Sequence, residues 1–89
     1  MKLREDLTLR KVGNEYFIVE PDQGMIDLSK VFTLNETAAF LWNALQGRDF
    51  DTQSAADILI KEYQIDQETA INDTEKILDM FKSQSLTLD

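Results

Sequence analysis

The 89-residue chain has no cysteine and no histidine, and only three glycines and one proline. Without cysteine there is no disulfide, no thiolate metal site and no thiol nucleophile, which suits a reducing compartment. Without histidine the commonest general base and the commonest metal ligand are missing. Gly13, Gly24 and Gly47 stand far apart, so no glycine-rich loop is available to cradle a phosphate. No segment approaches the roughly 18 apolar residues of a membrane-spanning helix. The opening Met1-Lys2-Leu3-Arg4-Glu5-Asp6 lacks the apolar run of a signal peptide, so a cytoplasmic location is expected.

Positive charge is scarce too, and unevenly so. Residues 1–34 carry five basic and six acidic side chains, whereas residues 35–89 carry four basic and eleven acidic. The second part therefore holds seven of the eight net negative charges. Such a surface keeps a protein soluble, repels nucleic acid and attracts basic partners. Apolar residues make up 43% of the chain, an ordinary globular share. At this length the expectation is one domain over residues 1–89 with one modest core.

The most informative stretch is Leu34-Asn35-Glu36-Thr37-Ala38-Ala39-Phe40-Leu41-Trp42. Val31 to Leu34 are β-branched, aromatic and aliphatic, as in a strand. Asn35 offers a side-chain oxygen to the orphan amides of a first helical turn, and Glu36 suits the positive end of the helix dipole. Ala38, Leu41, Trp42 and Leu45 then recur at helical spacing, which predicts a helix over 36–46 closed by Gly47.

Elsewhere the pattern is equally local. Residues 7–12 and 15–20 read as strands joined by a Gly13-Asn14 turn. Pro21-Asp22-Gln23-Gly24 is a turn, and Met25 to Leu28 reads as a third strand before the extended Val31–Leu34. A second helix is expected from Asp51 or Thr52 to Tyr63, with Ala55, Ile58, Leu59 and Tyr63 on one face. A third runs from Asp66 to about Gln84, its inner face built from Ile71, Thr74, Ile77, Leu78 and Phe81. Leu86-Thr87-Leu88 forms a short extended tail. The class is α+β: a three-stranded antiparallel sheet followed by three helices, like a winged helix-turn-helix.

Catalysis finds little support in these residues. No serine has a histidine to activate it, and none of the seventeen carboxylates stands out as a pair. DNA binding is the natural suspicion for a winged helix. Yet the would-be recognition helix carries Lys76 and Lys82 against Asp66, Glu68, Asp73, Glu75 and Asp79. An exposed sheet edge, by contrast, is a template for an added peptide strand. It is equally a template for self-pairing, so a structural or dimerising module stays open, as does a winged-helix DNA-binding or transcription-associated protein.

The strand–cap–helix string around Asn35, the link Glu62-Tyr63-Gln64-Ile65-Asp66, and Asp73 within an apolar-periodic helix resemble the PqqD-like family of pyrroloquinoline quinone synthesis. The resemblance covers roughly residues 7 to 88. One departure is plain: where the family commonly ends its last helix with a glycine before an apolar pair, this chain has Gln84-Ser85-Leu86.

The resemblance implies a non-catalytic adaptor without metal or cofactor, a recognition element for ribosomally made, modified peptides. It binds the leader segment of a precursor peptide and presents it to a modifying enzyme, often a radical S-adenosylmethionine enzyme. The acidic third helix and the lack of a long apolar run lead one to expect no nucleic-acid and no membrane partner, and a monomer or weak dimer is expected. By position, the peptide would add along Met25, Ile26, Asp27 and Leu28, with Val31 and Phe32 as a second register. The groove wall would be Asp73, Thr74, Ile77 and Phe81. Read from the residues alone, Ile77, Leu78 and Phe81 are core before they are peptide contacts, because an apolar helical stripe usually faces inward.

Overall fold

A computed structural model describes residues 1–19 and 32–88. Strand β1 (Thr8–Val12) turns at Gly13-Asn14 into β2 (Glu15–Val19), and the two pair antiparallel with Lys11 opposite Tyr16. Gly13 has φ +63 whereas Asn14 is not left-handed, the pattern of a two-residue II′ turn that needs glycine first. Strand β3 (Phe32–Leu34) pairs antiparallel with β2, giving the order β1-β2-β3. Among the described residues β3 is thus an edge strand. Leu9, Ile18, Phe32 and Leu34 share the face that packs on the helices. The third strand expected at Met25–Leu28, together with Val31, lies outside the described residues.

Helix α1 (Glu36–Leu45) starts as its sequence dictates: the Asn35 side chain accepts the Ala38 amide at 2.8 Å. Helix α2 (Thr52–Tyr63) opens with a capping box. The Asp51 carboxylate accepts the Ser54 amide at 2.8 Å and the Ser54 hydroxyl accepts the Asp51 amide at 3.0 Å. The α2–α3 link turns sharply because Gln64 takes the left-handed conformation, φ 54, with its amide on the Ile60 carbonyl at 2.9 Å. Helix α3 (Gln67–Ser83) then packs extensively on α2.

The departure at Gln84-Ser85-Leu86 has a clear outcome. Ser85 adopts φ 60, a conformation glycine reaches without steric cost. The Leu86 amide donates to the Phe81 carbonyl at 2.8 Å and the Ser85 amide to the Lys82 carbonyl at 3.0 Å. These are the two bonds of a Schellman motif, and the apolar pair that accompanies it, Leu86 and Phe81, is fully buried. Serine therefore makes the helix end that glycine usually makes.

The core joins all these elements. Trp42 meets Phe81 edge-to-face, centroids 5.5 Å apart and planes at 87°, tying α1 to α3. Leu3, Leu41, Leu45, Leu59 and Leu86 are wholly buried around them. The tail at 86–88 is extended as expected, but it pairs with the first residues of the chain. Leu3 bridges Thr87, the Arg4 amide donates to the Leu86 carbonyl at 3.0 Å, and the Leu88 amide to the Lys2 carbonyl at 2.8 Å. Arg4 also holds Asp6 through two bonds, at 3.0 and 2.6 Å, and the Ser85 carbonyl at 3.2 Å.

Candidate functional site: the β3 edge and the α3 cleft

Beside β3 the chain enters α1 through Asn35, and α3 crosses close to this junction. Asn35 and Thr37 from the junction and Asp73, Lys76 and Ile77 from α3 line a cleft of about 240 Å³. Asp73, Lys76 and Ile77 stand at i, i+3 and i+4, so one helical stripe supplies an acid, a base and an apolar floor. Neither Asp73 nor Lys76 takes part in an ion pair among the described residues.

The expected groove-wall residues divide. Asp73 and Ile77 reach the cleft, Asp73 half-buried and Ile77 8% exposed. Thr74 and Phe81 have no accessible surface and belong to the core. The reason is helical geometry: Thr74, Ile77, Leu78 and Phe81 form the stripe that packs inward, and only its margin meets solvent. The Thr74 hydroxyl is buried and has no hydrogen-bond partner among the described residues. Phe32 is half-buried on β3, facing the helices beside Ile18. Met25, Ile26, Asp27, Leu28 and Val31 fall outside the described residues.

Sequence reasoning missed Asn35 and Thr37 as cleft residues, having assigned Asn35 to capping alone. Asn35 does cap α1, and it also lines the cleft. It also misplaced Tyr63, expected on the inner face of α2 but 39% exposed at the helix end. There Tyr63 packs edge-to-face on Phe40, centroids 5.7 Å apart.

Outside the cleft, the Arg4 hydrogen bonds hold Asp6 below the usual carboxylate range, and the Ser54 amide does the same for Asp51. Among the described residues no group of three or more acids, histidines or cysteines is placed to hold a metal ion. Nor is any described helix long and apolar enough to cross a membrane.

A family model described as "Coenzyme PQQ synthesis protein D (PqqD)" matches residues 15–86. No curated protein sequence matches the chain. Among solved structures, TbiB1 in complex with the TbiA(beta) leader peptide is similar at TM-score 0.68 and 19% identity, over 97% of this chain and 93% of that one. A lasso peptide synthetase B1 complexed with the leader peptide is similar at TM-score 0.69 and 19% identity, over 99% and 96%. The likeness covers the sheet and all three helices, so the α+β architecture read from the sequence is also that of these proteins.

Proposed function

The chain belongs to the PqqD family, and from that premise we propose that it is a non-catalytic adaptor for a leader peptide. It binds the leader segment of a ribosomally made precursor by strand addition and holds it for a modifying enzyme, a radical S-adenosylmethionine enzyme being the class common in such pathways. The observation that carries this reading is the cleft itself. Phe32–Leu34, an edge strand among the described residues, runs into Asn35, which with Thr37 faces Asp73, Lys76 and Ile77 of α3 across the cleft. A peptide lying there gains main-chain hydrogen bonds from the strand and side-chain contacts from the helix. Both similar structures named above hold leader peptides, which supports the same use here.

In this reading catalysis is left to the partner enzyme, which the lack of histidine and cysteine in the sequence supports. Duplex DNA is not the ligand. Glu68, Glu75 and Asp79 are exposed along α3 and repel phosphate, and exposed Lys76 and Lys82 do not offset them.

The experiment is a titration of the protein with the leader of a precursor peptide encoded beside it, followed by amide NMR shifts. Residues 32–34 and the Asp73–Ile77 stripe should move together. Asp73→Lys should change the preference for charged leader variants while leaving the unfolding midpoint in place. A partner peptide that leaves β3 and α3 unshifted and perturbs another surface would refute the site.

A further inference from the structure

A second cleft, of about 260 Å³, lies where α1, the end of α2 and strand β2 meet. Its walls are aromatic: Tyr16 from β2, Phe40 from α1 and Tyr63 from α2. Its polar lining is Glu36, Asn43 and Glu62. Glu36, Phe40 and Asn43 stand at i, i+4 and i+7, so one stripe of α1 delivers all three to the same wall. We propose that this cleft is a docking site for a lysine or arginine side chain on the surface of a partner protein.

The chemistry argues for a cation. Aromatic faces attract a cation within about 6 Å of the ring centroid. Tyr16 already does so with a lysine of this chain, the Lys11 ammonium lying 5.6 Å from its centroid. Glu36 and Glu62 are both exposed, and among the described residues neither joins an ion pair. Two carboxylates against Lys11 leave the mouth of the cleft net negative. The Phe40–Tyr63 contact fixes the two rings edge-to-face, planes at 78°, so the wall is ordered before anything binds.

The size argues for one side chain of a protein. The cleft is smaller than the roughly 300–1,000 Å³ of small-molecule sites. A guanidinium or ammonium on a long aliphatic stem matches it better, with the stem on the rings and the charge at the carboxylates. The inference does not depend on leader binding at β3, because the two clefts share no lining residue.

The test uses blocked amino acids as probes of a side chain in a polypeptide: N-acetyl-arginine methylamide against its neutral citrulline isostere, by amide NMR. The arginine probe should shift residues 36–43 and 62–63 saturably, bind roughly tenfold more tightly than citrulline, and weaken as salt rises. Glu36→Gln combined with Glu62→Gln should abolish that preference in a protein whose remaining spectrum is unchanged. Tyr63→Leu, which keeps an apolar wall but removes a ring, should weaken arginine and leave citrulline unaffected. Equal binding of both probes would overturn the proposal. So would arginine shifts spread equally over the acids of α3, or a leader peptide that fills this cleft in preference to the β3 edge.

Discussion

Replacing Ser85 by glycine should stabilise the protein. Ser85 sits at φ 60, and a non-glycine residue in the left-handed region bears a steric cost of roughly 1–2 kcal/mol between Cβ and the following carbonyl. Glycine removes that cost and keeps both bonds of the helix end, which are made by backbone amides. The opposing effect lies in the unfolded chain, where glycine has about 0.4–1 kcal/mol more conformational entropy to lose. The net gain is therefore about 0.5–1 kcal/mol, a rise of several degrees in Tm for a domain of this size. Urea unfolding measures it as a higher midpoint at unchanged slope. Ser85→Ala, which keeps Cβ in the same conformation, is the control and should change stability by less than about 0.5 kcal/mol. If glycine lowers the midpoint, or if alanine raises it as much as glycine does, the strain argument fails.

Thr74→Val should raise stability by about 1 kcal/mol, because it removes a buried hydroxyl that has no partner among the described residues and keeps the branched shape. A lower urea midpoint would mean that the hydroxyl is hydrogen-bonded in solution. Asn35→Ala should cost about 1 kcal/mol through the lost cap and speed amide exchange in the first turn of α1, whereas Asn35→Asp should keep both near their original values. Acid should weaken the fold in a defined window. Asp6 and Asp51 are held below the unfolded carboxylate value, so their contribution is complete above about pH 4 and is lost as pH falls through their folded values. The urea midpoint should be flat from about pH 7 to 5 and fall below about pH 4, less steeply in Asp6→Asn and Asp51→Asn.

What could be read beforehand was local. The strand-to-helix junction follows from Asn35 and Glu36, the α2 start from Asp51, and the first turn from Gly13-Asn14. Each of these depends on residues within four positions of one another. The pairing of Leu3 with Thr87 joins the two extremes of the described chain and has no local signature, so the tail was foreseen but its partner was not. The site was half legible for a related reason. Periodicity shows that Thr74, Ile77 and Phe81 share a face, but the depth of burial along that face depends on what covers it. Trp42 and Leu86 close over Phe81 and leave Asp73 and the edge of Ile77 to the cleft.

The same topology in a DNA-binding winged helix would set α3 in a groove, so the chemistry on the helix decides the use of the fold. Here the inward stripe of α3 is anchored at its end by Phe81 against Trp42 and by the Ser85 turn. In the proposed strand addition, a peptide on the edge gains backbone hydrogen bonds whatever its sequence. Discrimination between peptides must then come from the side chains that face it. In that proposal Asp73 and Lys76, one turn apart on the cleft wall and in no ion pair among the described residues, offer both signs of charge to the peptide. Their separate removal should alter the choice among charged leaders more than the affinity for all of them, since fixed charges at an interface set specificity more than strength.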